Sequence, residues 1–366
     1  MRRLVALVAA TTAVLGLGGW PLPASATTPS WQVTSTPFSA GPQNALACAT
    51  TTFCVTADGH AWLRWNGSRW SSMLGPTTGL TNGYVAAASA CPSTTACMTV
   101  GNYQDSLSSA WSSFASRWNG RYWADVALPS LAAPFLRDVA CPASNSCFAV
   151  GDDNDQQLVL AWDGNTWKTA VDMPALPADA EYSQVLGISC WDRNGCIAVG
   201  FWWNSSTHVS APYADEWDGD RWSAIAAPPE PNSADFLSAL SCSSAAFCLA
   251  VGAGPMETWH GASWSIVSST PPSQPVAVDC VARDDCMIDA AGAYTTDNSG
   301  NMQVQSLGTM LHFDGTTLTA LPRPAAETSE QGLLGSLDCV SSTYCVATGL
   351  RPDSQQQPAM FAEVYS

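Results

Sequence analysis

The groups that commonly carry catalysis are scarce in this chain. Its histidines are His60, His208, His260 and His312. His260 and His312 sit beside a repeated turn, and only His208 falls in a variable segment, so no multi-histidine copper centre can be assembled. No Gly-x-Ser-x-Gly elbow occurs. A site gripping a carboxylate with three convergent arginines is disfavoured, because Arg69, Arg121 and Arg221 all lie in one type of short turn. Paired acids for glycosidic cleavage stay open, since spacing along the chain does not say which of the Asp and Glu residues converge.

Binding chemistry has more to work with. Asp152, Asp153 and Asp155 in "GDDNDQ" resemble half of a calcium loop, although the later glutamate is missing; the other reading is a solvated acidic turn. Trp202 and Trp203 in "GFWWNSS" stand at a loop base, where a flat ring could stack on a sugar. Strand alternation sends at least one of them inward. Tyr103, Trp111 and Tyr294 are weaker candidates of the same kind.

The elements that position these residues follow from a repeat. The fourteen cysteines form seven Cys-x5-Cys pairs: Cys48/Cys54, Cys91/Cys97, Cys141/Cys147, Cys190/Cys196, Cys242/Cys248, Cys280/Cys286 and Cys339/Cys345. A period of roughly 40 to 50 residues built from short strands marks a propeller, one blade per repeat. A second marker, Trp-x-Gly-x-x-Trp, keeps step: "WNGSRW", "WNGRYW", "WDGNTW", "WDGDRW", "WHGASW" and the degenerate "FDGTTL". Each repeat then reads as four antiparallel strands, A to D. Strand A ends at the first cysteine and strand B starts at the second. Strand C ends at the first tryptophan. An Asn-Gly or Asp-Gly turn, tolerant of positive φ, leads into strand D. The two cysteines flank the A–B hairpin, so a disulfide should pin each hairpin; thiolate metal binding is the less favoured reading. The marker tryptophans are expected to pack between blades.

The last repeat, ending "AMFAEVYS", has no strand D, while "SWQVTSTP" at residues 30–37 reads as a strand D without its blade. The N-terminal strand should therefore complete the last blade of a seven-bladed β-propeller and remove the open edge. On these repeats the chain resembles secreted bacterial seven-bladed β-propellers of the kelch and Asp-box superfamily kind, over residues 28–366. "AWDGNTW" is similar to an Asp box, with Asp163 one residue closer to Gly164. The kelch Gly-Gly pair is absent. The A–B and C–D turns, short and uniform, share one face of such a ring. The B–C and D–A loops share the other, and their variability marks it as the functional face.

Arg2 and Arg3, an apolar run from Leu4 to about Leu17 and the small-x-small Ala24-Ser25-Ala26 read as a secretory signal peptide over residues 1–26, preceding one domain over 27–366. The run is short for a membrane span. The formal charge of −17 disfavours nucleic acid and anionic lipid as partners. The expectation is a secreted monomer, without a cofactor, that binds an extracellular glycan or protein rather than transforming it. The alternative is an extracellular carbohydrate-active hydrolase or lyase with its acids on the variable face.

Overall fold

The computed structural model describes residues 29–34, 36, 45–57, 61–76, 85–104, 110–170, 173–228, 236–268, 274–290, 292–296, 302–306, 308–323 and 333–366. The expected signal peptide and His60 lie outside them. Seven four-stranded antiparallel sheets form the ring, and no helix occurs among the described residues. No helix there is long and apolar enough to cross a membrane.

Blade 3 shows the common plan, with strands A Pro134–Ala143, B Ser146–Asp153, C Gln156–Trp162 and D Trp167–Thr169. Strand A runs past its cysteine, where the sequence suggests a stop. A bulge between Ala140 and Ala143 absorbs the extra residues.

All seven disulfides form within their own hairpins: Cys48–Cys54, Cys91–Cys97, Cys141–Cys147, Cys190–Cys196, Cys242–Cys248, Cys280–Cys286 and Cys339–Cys345. The pairing is direct across the ladder, as where Cys190 lies opposite Cys196. The second cysteine of every pair is buried: Cys54, Cys97, Cys147, Cys196, Cys248, Cys286 and Cys345. Each of them opens strand B opposite the aromatic residue that ends strand C, as Cys54 faces Trp65, Cys97 faces Trp118, Cys248 faces Trp259, Cys286 faces Phe313 and Cys345 faces Tyr365. Their side chains therefore join the packing between blades, and no ligand can reach them. These cysteines belong to the scaffold and not to a binding surface. Fourteen paired cysteines fit an oxidising compartment.

A second bulge explains the glycine that follows the apolar run of strand B. Leu136 pairs with Gly151 and Asp138 with Val150, so Arg137 is extruded between them. The strand A backbone then presses on strand B: a Cβ on Gly151 would sit 2.0 Å from the Phe135 carbonyl oxygen. Blades 2, 4, 5, 6 and 7 repeat the shift, extruding Ala87, Leu186, Ser238, Val276 and Gly335.

The C–D turn differs in detail from the sequence expectation. In blade 1 the central residues are Gly67 and Ser68, and only the glycine has positive φ, at 91°, as a II′-type hairpin requires. Asn66 precedes them as a cap, its Oδ1 accepting the N–H groups of Ser68 and Arg69. Asp163, Asp218 and Asp314 cap in the same way. Hydrogen bonds to the carboxylate, from the Lys168 ammonium at Asp163 and from Thr317 at Asp314, hold both acids below the usual range. Each C–D turn rests on the A–B turn of its blade. Trp118, Trp217 and Trp259 donate indole N–H to the carbonyls of Thr94, Arg193 and Ala245 there.

The core lies between blades, not within them. Phe148 and Val150 of blade 3 pack against Val185, Ile188 and Trp222 of blade 4. Trp62 of blade 1 meets Trp123 of blade 2 with centroids 4.3 Å apart. The second marker tryptophans, Trp70, Trp123, Trp167, Trp222 and Trp264, are all buried in these seams.

The ring closes as the strand count requires. Trp31–Thr34 pairs antiparallel with Pro358–Tyr365, Trp31 opposite Tyr365 and Thr34 opposite Ala362. Trp31 is buried against Met310 and Phe361, so the N-terminal strand also packs on blade 6. Blade 6 carries an addition that its sequence does not announce. The connection between strands B and C holds a hairpin, Ala293–Thr296 with Met302–Ser306. Val304 of that hairpin packs on Leu333 and Leu350 of blade 7.

Candidate binding face and axial channel

The innermost strands of all seven blades line an axial cavity of about 720 Å³. The six extruded residues all reach it. Five are small or aliphatic, and of the six only Arg137 carries charge. The bulge thus re-aims one cationic side chain toward the channel mouth, a placement that period-two alternation does not predict.

Three acids also line the channel: Asp138, Asp279 and Asp338. Their geometry is that of a structural belt. The residue before the first cysteine accepts the N–H of the next blade's first cysteine. Ser189 Oγ takes Cys242 N at 2.9 Å, Ser241 Oγ takes Cys280 N at 2.9 Å, and Asp279 Oδ2 takes Cys339 N at 2.6 Å. Asp338 holds the same position in blade 7, beside the Cys48 backbone of blade 1. Ser241 Oγ also donates to Asp279 Oδ1. In blades 1 to 3 the same position is Ala47, Ala90 or Ala140. Asp138, two residues earlier, instead accepts Ile188 N at 2.9 Å. These carboxyls are only partly exposed, and protein surrounds them closely. That enclosure raises Asp138 to about 6 and raises Asp279. It raises Asp338 strongly, and the nearby Asp279 charge adds to the effect.

On the variable face, aromatic side chains form an arc of contacts from blade 2 to blade 5 that adjoins the channel lining at Arg137. Trp111 meets Phe135 edge-on at 5.8 Å. The Arg137 guanidinium lies over Phe135 at 4.9 Å and close to the Tyr182 hydroxyl. Tyr182 meets Phe201 at 5.8 Å, and Phe201 meets Phe236 at 5.8 Å across the next seam. Trp111 is 45% exposed and the other four rings are half-buried. Arg137 is held by Asp152 at 3.1 Å, and Gln184 donates to the same carboxylate oxygen. Burial raises Asp152, with Arg137 opposing.

The residues singled out in sequence distribute unevenly. Trp111 joins the arc. Trp203 lies beside His208, with centroids 6.0 Å apart. Trp202 packs into the seam between blades 3 and 4, and Tyr103 against the seam between blades 1 and 2. Tyr294 is on the added hairpin of blade 6, opposite Val304 and away from the arc in chain position. The three acids of "GDDNDQ" do not share a focus. Asp152 is committed to Arg137, and Asp153 accepts the N–H groups of Ala132 and Ala133. Asp155 occupies the B–C turn with φ of 65°. Phe135 and Phe236 escaped sequence reasoning because they meet Trp111 and Phe201 only across a seam, and Tyr182 and Phe201 because their contact depends on the register of strands A and B in blade 4. The recurrence of an aromatic at the outer end of strand A in blades 3, 4 and 5 was the available signal.

No family model matches this chain, and no curated protein matches it by sequence. Solved structures match its fold. YCF48 bound to a D1 peptide is 9% identical, with a TM-score of 0.59 over 95% of this chain and 100% of that one. A streptogramin B lyase is 8% identical, with a TM-score of 0.59 over 92% and 98%. The GH74 xyloglucanase of Xanthomonas campestris is 14% identical, with a TM-score of 0.57 over 91% of this chain and 55% of that one. At such identities the likeness is one of architecture.

Proposed function

We propose that this chain is a secreted, monomeric propeller, of the kelch and Asp-box-like kind, that binds an extracellular glycan or protein on its variable face. The observation that carries this reading is the aromatic arc from Trp111 to Phe236, which adjoins the channel lining at Arg137. Half-buried rings clustered around an opening, rimmed by polar groups, are what binding sites use. The catalytic alternative needs acids available to a substrate. Asp138 and Asp279 instead accept backbone N–H groups across the blade seams, and Asp338 is closely enclosed beside Asp279 and Cys48. Similar folds serve both ends: one neighbour is described as bound to a peptide, and another as a xyloglucanase.

The test is an array of glycans and peptides probed with the mature protein, then repeated with two variants. One carries Trp111→Ala with Phe236→Ala on the variable face. The other carries Arg69→Ala with Arg121→Ala in the uniform turns, where both arginines are exposed. Binding should fall at least tenfold in the first variant and stay within twofold in the second, a contrast on the scale of losing an interface anchor. The opposite pattern, with both variants folded, would assign the wrong face.

A further inference from the structure

We infer that the occupant of the arc is a cationic peptide segment with apolar anchor side chains, presented by another extracellular protein. This rests on the reading of the arc as the binding face and names its partner.

Two features of the arc select a peptide. First, its rings do not form a flat shelf. Neighbouring planes are tilted by 63°, 50° and 35° along the row, so successive ring faces do not lie in one plane. An uneven apolar surface suits a branched or linear apolar side chain, whereas a pyranose needs an open ring face to lie parallel to. Second, three of the five rings are Phe135, Phe201 and Phe236, which offer no donor or acceptor to sugar hydroxyls. Burying hydroxyls against them without partners is costly. An apolar peptide side chain has no such cost, and it is the usual anchor of a protein interface.

Charge selects the sign. Two loops meet beside Tyr182. One is the B–C turn of blade 3, with Asp153 and Asp155; the other leads into strand A of blade 4, with Asp179 and Glu181. They are tied together by Ser183 N to Asp155 O at 2.9 Å and by Gln156 Nε2 to Glu181 O at 3.1 Å. Asp155, Asp179 and Glu181 are exposed. Hydrogen bonds from Ser205 and Ser206 hold Glu181 below its ordinary value, so it is ionised even in mild acid. The basic groups at this end do not offset the acids. Arg137 is paired with Asp152 and Arg323 with Glu363, and Arg351 belongs to blade 7, outside the arc. The rim therefore presents negative charge next to apolar rings. A Lys or Arg flanking an apolar anchor meets both, and a net charge of −17 steers it in from a distance.

Fluorescence polarisation with labelled ten-residue peptides tests this on the mature protein. One peptide set carries a Leu-Trp-Leu anchor flanked by lysines, and a second carries the same anchor flanked by glutamates. Unlabelled cello- and chito-oligosaccharides are titrated in parallel by calorimetry. The lysine set should bind at least tenfold tighter than the glutamate set at 50 mM salt, with the gap closing towards 1 M, where the Debye length is about 3 Å. Trp111→Ala, at an exposed ring, should abolish measurable binding without moving the melting temperature. The double variant Asp155→Asn, Glu181→Gln should weaken the lysine set by about two- to fivefold per charge at low salt. Asn tolerates the φ of 65° at position 155, so the turn survives the change. Equal binding of both peptide sets, or peptide binding that ignores the Asp155 and Glu181 changes, would overturn the cationic assignment. Oligosaccharide binding that Trp111→Ala abolishes, with no peptide binding, would overturn the inference and leave the binding face in place. Absence of binding in every arm would overturn both.

Discussion

Asp215 should make this protein lose stability as the pH rises from 5 to 8, and Asp215→Asn should remove that share of the loss. The residue lies on strand C of blade 4 between Tyr213 and Trp217, which pack toward blade 3 with Phe148, Val150 and Val159. It is 2% exposed, and its Oδ2 has no hydrogen-bond partner among the described residues. Its strand neighbours are Ala198 and Ala224, so no cation faces it across the sheet. Burial pushes its pKa up to about 7, against about 3.9 in an unfolded chain. A carboxyl raised on folding binds its proton more tightly in the native state. Its contribution is therefore fully present below about pH 4 and is lost as the pH rises through 7. Between pH 5 and 7 the loss accumulates at about 1.4 kcal/mol per pH unit, or roughly 2 to 3 kcal/mol in all. Urea melts at pH 5, 6, 7 and 8 measure it. Asp138 and Asp289, raised to about 6 and about 7, tilt the wild-type curve in the same direction, so the wild-type minus variant difference isolates Asp215. Parallel curves for wild type and Asp215→Asn would refute the reasoning, as would a wild-type curve that is flat or rises over this range.

Three further outcomes follow from the fold. Trp31→Ala removes a side chain 3% exposed at the ring closure and should cost about 3 to 5 kcal/mol in chemical denaturation; a change under 1 kcal/mol would mean that the N-terminal strand does not hold the last blade. Gly151→Ala should prevent soluble expression or lower the melting temperature sharply, because its Cβ meets the Phe135 carbonyl oxygen at 2.0 Å; a near-neutral result would remove the bulge as the reason for glycine. Non-reducing peptide mapping should return seven crosslinks, each within one hairpin. Cys141→Ser with Cys147→Ser should cost about 2.4 kcal/mol by the chain-entropy estimate for so short a loop, and abundant crosslinks between blades would contradict the pairing.

The amino-acid sequence by itself determined the ring. Cys-x5-Cys and Trp-x-Gly-x-x-Trp are local signals, because both residues of each pair lie on one hairpin, and a hairpin's register is set within a few residues. Their sevenfold recurrence counts the blades, and the unpaired "SWQVTSTP" implies that the first strand is donated to the last blade. Which turns share a face was also legible, since turn length is a local property. The tertiary structure alone decided what occupies each face. Arg137 reaches the channel because a bulge slips strand A by one residue, and a slip of one reverses the face on which every later side chain appears. Trp202 and Tyr103 stand in loop-edge segments that read as accessible, but the adjoining blade covers them. The arc and the belt depend on contacts between residues far apart in the chain, such as Trp111 with Phe135, Phe201 with Phe236 and Asp279 with Cys339. Those contacts depend on how one twisted sheet sits against the next. That stacking is set by side-chain volumes packed along a whole seam, which no short window of sequence contains.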